Sequence, residues 1–563
     1  MKRAVTILLL GLLSLLAWPS ALMAQATQKP EQGKLQTSSR DWTYTSRHMP
    51  LDLKWRRHLE SNLRWMIARQ RGDADKQKPR VAIYADAGTN YQLNRNIVTA
   101  LEAKGIGCRI YDRSRINAQQ LAGVEAYVMP GGYSTFQRHA LGQVGTTALR
   151  QFVDQGGRYL GICAGGYVAA KDVHWEDKHY PYPLELFDGT AEGALDSIAA
   201  WPRDAAVVLK LTKAGKSRGL SEAAEGTFYY KGGPHFHGGT NVTVLATYPN
   251  GTAAIIARPY GKGEVVLNGI HFERRPPGAG QGDEVPSASV ATGGLFESLL
   301  QLQGKPQQPA RDKIAADIIR WLEVTDLAKE DRINLEQNLR WVLARSLSQS
   351  ASSKQPTVGL FVDAGAEHAS VVAITSLLES QDIMVKPLLH TDVNKEGLQH
   401  LETLIIPAGN HRILRDTLGE DGQQAIEKFI KSGKQYIGVS TGAYLAAKTV
   451  RWQQRTWEYP LKYFSGMAEG PLDDIAVWPA SAEVQLDLPI YGAGRGLSKR
   501  LLATCRYHGG PRFVKGRGYR TLAMYPDESS AIIAGEVGRG EVMLIGVEVN
   551  DRSQFFLPLL RPR

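Results

Sequence analysis

Cysteine is scarce in this chain: three residues in 563, Cys108, Cys163 and Cys505. Small exported domains that cannot build an adequate core staple themselves with disulfides, and a chain so poor in cysteine is not built on that plan. Cys108 and Cys505 fall in different halves of the chain, neither with a cysteine counterpart in the other half, and are expected to be free and buried, which leaves Cys163 as an unpaired thiol. Long apolar runs are also missing. After the opening segment none reaches the roughly 18 residues of a membrane span, so no span is expected in the mature protein. Basic blocks are missing as well: 67 Lys and Arg against 56 Asp and Glu give a net charge of +11, but the charge is scattered. No basic stripe interleaves with aromatics, which excludes a nucleic-acid-binding face. Diffuse positive charge suits weak attraction to anionic envelope polymers or lipid headgroups.

The single long apolar run opens the chain. Met1-Lys2-Arg3, the apolar residues 4–18, and the small residues around Ala24-Gln25-Ala26 have the charged start, short hydrophobic region and cleavage site of a secretory signal peptide. Residues 1–26 are read as that signal, which predicts a periplasmic or secreted protein. No cysteine lies near the cleavage site to carry a lipid anchor.

Gly161-Ile162-Cys163-Ala164-Gly165-Gly166-Tyr167 lies between an apolar run, residues 158–160, and a helix-forming stretch, residues 168–171. A strand that turns sharply into a helix needs small residues around the turn and presents the central side chain at its tip. Here that side chain is a thiol at a helix N-terminus, where the helix dipole favours the reactive thiolate.

The segment occurs twice. Tyr436-Ile437-Gly438-Val439-Ser440-Thr441-Gly442-Ala443-Tyr444 repeats residues 159–167 at an offset of 277, the distance from Cys163 to Ser440. The same offset relates residues 81–88 to 358–365, Thr190-Ala191-Glu192-Gly193 to Met467-Ala468-Glu469-Gly470, and Gly232-Gly233-Pro234 to Gly509-Gly510-Pro511. Solenoid units run about 20 to 50 residues, so this period marks a duplicated whole domain. The implied division is a signal peptide over 1–26, an N-terminal extension with a helix over 27–75, a first domain over 76–300, a helical connector over 301–352 and a second domain over 353–563.

Within the first domain, residues 53–70 read as an amphipathic helix. Residues 81–85, 108–111 and 126–129 read as strands, with helices over 97–104 and 147–155. Strands alternating with helices imply a mostly parallel α/β sheet with helices on both faces, a three-layer flavodoxin-like architecture. Sites in such sheets lie at the carboxyl ends of strands, where Asp86, Gly131-Gly132 and Cys163 all fall. After residue 201 the text turns to shorter strands. Residues 265–273 read as one strand that places His271 and Glu273 on a common face.

A thiol needs a base to take its proton and return one to the leaving group, and a carboxylate can orient that base. An oxyanion needs fixed N–H donors, which Ala164 and Gly131 or Gly132 could supply. Pro130-Gly131-Gly132, Gly161-Ile162-Cys163-Ala164-Gly165 and Gly269-Ile270-His271-Phe272-Glu273 together resemble the class I glutamine amidotransferase-like superfamily. Tyr84 through Thr89, Cys163-Ala164-Gly165-Gly166-Tyr167 and Phe228-Tyr229-Tyr230-Lys231-Gly232-Gly233-Pro234 narrow the resemblance to the domain at the N-terminus of eukaryotic biotin protein ligases. It covers residues 80–275 and, more weakly, 357–550. The resemblance implies Cys163 as nucleophile, His271 as base and Glu273 as its orienting partner, with no cofactor. It does not imply biotin transfer, because no ligase catalytic domain is visible in the chain.

The second copy carries Ser440 for Cys163, Glu548 for His271, Asn550 for Glu273 and Ala408 for Gly131, and is read as catalytically dead. His235 and His237, with His174 and His179 upstream, are metal-ligand types, but no further Cys/His group has ligand spacing and no metal is assigned. Two functions remain open on the sequence. One is a cysteine-nucleophile hydrolase acting on a small-molecule or peptide amide. The other is a non-catalytic protein of the cell envelope that binds a ligand or partner.

Overall fold

Val81–Tyr84, Cys108–Tyr111, Ala126–Met129 and Arg158–Ile162 are the first strands of the first domain. In the computed structural model, which describes residues 49, 51–72, 78–220, 227–277, 289–305, 327–348 and 355–560, they are buried on both faces. That is why they read as continuous apolar text rather than as alternation. They pair in parallel in the order 108–111, 81–84, 126–129, 158–162, followed by Gly263–Asn268, also parallel. Beyond it the sheet becomes mixed through Ala253–Tyr260, His235–His237, Phe187–Gly193, Ala170–Trp175 and Lys178–Pro181. The second domain repeats this order strand for strand, from Val385–Leu388 to Arg455–Glu458. The α/β class is as expected, and each sheet is parallel through its first five strands.

Two helices begin earlier than the apolar periodicity indicates. Tyr91–Ala103 starts six residues before the predicted 97, because the Asn90 side chain accepts from the Gln92 and Leu93 amides and so caps it there. Ser134–Asp154 extends the predicted 147–155 helix backwards across a kink at Gly142, whose φ of 57° only glycine adopts freely. Residues 1–26, read as a signal peptide, lie outside the described residues, as do residues 306–326 and 349–352 of the connector. No helix among the described residues is long and apolar enough to cross a membrane.

The two helices flanking the domains make a connection that the sequence did not announce. Leu53–Arg71 precedes the first domain and Lys329–Ser348 precedes the second, and they pack against each other. Asn62 donates to Thr89 of its own domain, and Asn338 to Ala366 of its own. Two residues further along each helix the direction reverses. Arg64 clasps Asp363 of the second domain, and Arg340 clasps Asp86 of the first through two bonds of 2.9 and 2.7 Å. Asp86 and Asp363 are fully buried at the ends of the two first strands. Burial alone would push their carboxyls up, but Arg340 and Arg64 hold both well below the usual carboxylate range. Arg332 adds a 2.6 Å bond to buried Glu60 across the same seam.

Removing one partner of a buried ion pair strands the other charge. Arg340→Ala is therefore expected to lower the stability of the whole chain by about 3–5 kcal/mol, with both domains melting in one urea transition. Lys431→Ala, which removes an exposed pair with Glu427, is the control and is expected to cost no more than about 1 kcal/mol. The Asp86 and Asp363 contribution is fully present above the unfolded carboxyl value near pH 4 and is lost as pH falls toward the folded one. Two separate transitions, or equal losses in the two variants, would contradict the reciprocal clasp.

Candidate functional site

The elbow forms as the sequence indicates. The strand Arg158–Ile162 ends directly before Cys163, which sits at φ 48°, ψ −103° as the cap of the short helix Ala164–Ala169. Strain of this kind in a residue other than glycine persists only where the surroundings enforce it, and it concentrates at functional sites. Ser440 holds the equivalent position at φ 50°. The turn is tight: a Cβ on Gly161 would come 2.5 Å from the carbonyl of Gly165, and one on Gly165 would come 2.0 Å from the carbonyl of Met129. Ala164 opens the helix, so its N–H has no acceptor within it. Cys163 is buried, and its thiol points at the Lys231 carbonyl at 3.9 Å.

His271 does not arrive on a strand as the sequence suggested. The strand stops at Asn268, whose side chain turns back to bond both the N–H and the carbonyl of Ile270 and so converts the chain into a bend. His271 is then held by a single bridge to Tyr229. Its Nδ1 nevertheless lies 2.7 Å from Glu273 Oε1, and Cys163 is an electrostatic neighbour of the ring. Glu273 is buried, and its second carboxylate oxygen has no hydrogen-bond partner among the described residues. Burial works against a charged imidazole. The neighbouring Cys163 and Glu273 outweigh it and raise the His271 pKa from 6.5 to about 10.

Gly131 completes the arrangement by its lack of a side chain, since a Cβ there would lie 2.3 Å from His271 Cε1. Gly132 follows with φ 153° and would meet the Gly88 carbonyl at 1.8 Å, so the Gly-Gly turn is packed against the first strand's loop. Cys163, His271, Glu273, Gly131 and Ala164 thus share one corner at the carboxyl edge of the sheet. Asp86, at the same edge, is withdrawn into the clasp by Arg340. A surface cavity lined by Leu121, Phe152 and Arg158 lies at the opposite, amino edge of the strands.

The second copy fills the equivalent corner differently. Glu548 is bound by Arg506 Nε at 3.0 Å and by His508 Nδ1 at 3.2 Å, and Glu367 comes close enough to form one group with His508 and Glu548. Ser440 donates to the His508 carbonyl at 3.4 Å, the counterpart of the thiol contact to Lys231. Sequence reading passed over Glu367 and His508, because neither has a chemically similar residue at the matching position of the first copy, where Asn90 and Lys231 stand.

The family model described as "Biotin-protein ligase, N terminal" matches residues 80–295 and 360–556. An uncharacterized protein of Chlamydia muridarum is 29% identical over 214 residues, 35% of this chain and 81% of that protein. A biotin–protein ligase of Schizosaccharomyces pombe is 32% identical over 160 residues, which span 26% of this chain and only 25% of the ligase. Among solved structures, a glutamine amidotransferase shares 21% identity at a TM-score of 0.29 over 40% of this chain and 100% of its own. A β-galactosidase from Bacillus circulans shares 16% at 0.28 over 43% of this chain and 34% of its own.

Gly131→Ala tests how the imidazole is positioned. The backbone accepts a methyl group there, as Ala408 shows in the second copy, so the protein is expected to fold. The His271 ring must move, and an NMR titration is expected to show its pKa falling from about 10 toward 6.5. Because the folded value is the raised one, the stability that His271 contributes is fully present below pH 6.5 and is lost as pH rises toward 10. An unchanged titration in the variant would show that Gly131 does not set the ring's place. The two matched segments cover more than half of the chain, which belongs to the biotin-protein ligase N-terminal family and carries that domain twice.

Proposed function

We propose that the first domain is a cysteine-dependent amide hydrolase and that its partner domain is a catalytically silent scaffold. The observation that carries this reading is the placement of one imidazole between a strained elbow thiol and a buried carboxylate.

The Cys163 sulfur attacks the amide carbonyl carbon, and the oxyanion that forms is met by the Ala164 N–H and the amides of the Gly131-Gly132 turn. The C–N bond then breaks as His271, charged at neutral pH, gives its proton to the departing nitrogen, leaving a thioester on Cys163. Acylation takes the Cys163 sulfur out of its interaction with the ring, one of the two influences that raise the imidazole's pKa. His271 can then accept a proton from water as its oxygen attacks the thioester. Loss of the acid returns the sulfur and the protonated imidazole to the forms in which they began, and the balance is one amide and one water converted to one acid and one amine.

Ser440 has no such partner, because Glu548 at the histidine position is occupied by Arg506 and His508. The opening segment supports export to the periplasm or beyond, where an amide of the envelope or a peptide is a more reasonable substrate than free glutamine. An exported protein has little synthetic chemistry to which ammonia could be passed.

Iodoacetamide labelling across a graded pH series, read by peptide mass spectrometry, provides the test. Cys163 is expected to label faster than Cys108 and Cys505, and His271→Ala is expected to slow it by about 10-fold or more. With an amide substrate in hand, Cys163→Ala should abolish turnover and Ser440→Ala should leave it nearly unchanged, with thermal unfolding as the folding control. A Cys163 inert to the reagent would favour a binding module. Loss of turnover in folded Ser440→Ala would overturn the silent assignment of the second domain.

A further inference from the structure

Four histidines and a glutamate left unconnected by their sequence spacing come together on the far part of the first sheet. Register sets His179 opposite His174, His174 opposite Glu192, and Glu192 opposite His235, a row across four adjacent strands. Residues paired directly across strands share a face, and His237, two residues beyond His235, shares it too. The His174 and His179 rings touch at 3.7 Å between centroids. His237 Nε2 lies 2.8 Å from Glu192 Oε2, and His235 Nε2 lies 3.9 Å from the same oxygen. The ligand atoms of His174, Glu192 and His237 fall within 4.8 Å of one another. A tetrahedral ion with bonds of about 2.0 Å needs separations of roughly 3.3 Å, which small rotations of these partly exposed side chains supply.

This face is not the thiol site. Trp175, the next residue after His174, turns to the other side of the strand and packs its ring on Tyr167 of the elbow helix at 5.8 Å.

The second domain provides an internal comparison. Its row, in the same register, reads Thr456, Arg451, Glu469, Arg512, with Val514 where His237 stands. Arg451 and Arg512 bind the two oxygens of Glu469 at 2.8 and 3.0 Å. One copy therefore surrounds its carboxylate with guanidinium charge, and the other surrounds the matching carboxylate with imidazoles. Imidazole with carboxylate is a donor set for borderline divalent ions, above all zinc. We propose that His174, Glu192 and His237 bind a zinc-class divalent cation on the first domain, with His179 and His235 beside them, and that the ion holds the positive charge that Arg451 and Arg512 hold in the second.

The untagged, EDTA-treated full chain, titrated with zinc sulfate in a calorimeter, is expected to take up one equivalent at this site, and Co2+ in its place should give visible ligand-field bands. The triple variant His174→Arg, His235→Arg, His237→Val puts the counterparts of Arg451, Arg512 and Val514 around Glu192. It is expected to keep its thermal unfolding profile and to lose at least about 100-fold in zinc affinity. His237→Ala alone, at a half-exposed position, should lose about 10-fold or more, a reading that stands if the triple variant misfolds. Cys163→Ser and His508→Ala should bind as the parent does, which separates this site from the thiol corner and from the Glu367, His508 and Glu548 group. No zinc uptake by the parent, undiminished uptake by the folded triple or single variant, or loss in Cys163→Ser or His508→Ala would each overturn the assignment.

Discussion

Everything in this molecule is arranged around two buried carboxylates that are neutralised from the wrong side. Asp86 and Asp363 end the first strand of each sheet, at the edge where ligand sites of parallel α/β proteins form. Neither could stay ionised in that setting without a cation. The cation comes in each case from the helix that precedes the other domain. The clasp removes one carboxylate from each crevice and fixes the loops after the first strands, against which the Gly131-Gly132 and Ala408-Gly409 turns rest. In the first domain that turn is what His271 packs upon. The position of the imidazole thus depends, through backbone contacts, on an arginine of the connector to the second domain.

The duplicated fold was legible because small residues and spacing carry it. The elbow glycines are required by contacts of 2.0 to 2.5 Å, and a constant offset leaves little freedom for a second topology. Cys163 was legible for the same reason, set between Gly161 and Gly165, and His271 and Glu273 were legible as a pair two residues apart shortly after Gly269. Their support was less so. A strand was expected to align His271 with Glu273, but Asn268 ends the strand by bonding its own backbone two residues on, and the histidine is placed by a bend. Side-chain capping is local and leaves no periodic trace.

Long-range partners were not legible at all. Arg64 and Asp363 are 299 residues apart, and Arg340 and Asp86 are 254 apart. Nothing in a helix's own sequence says whether its arginine serves the domain that follows or the one beyond. The histidine row failed differently. Its members lie on four strands whose register sequence spacing does not supply, and Glu192 looked like part of a repeated segment rather than the centre of a cluster. The clue available was the contrast between copies: His174 and His235 against Arg451 and Arg512, around a glutamate present in both.

The exchanged helices place this chain between a dimer and a monomer. Each half presents the same surface to the other, as subunits related by a two-fold axis do, yet the halves are covalently joined. In a true homodimer every substitution appears on both sides of the axis, so a change that suits one site is imposed on its twin. Joining the halves in one chain breaks that rule. The seam can stay symmetric while the two crevices change independently. One crevice can then keep a thiol and an imidazole while the other exchanges them for a hydroxyl and a carboxylate, with no loss of the surface that binds the halves together.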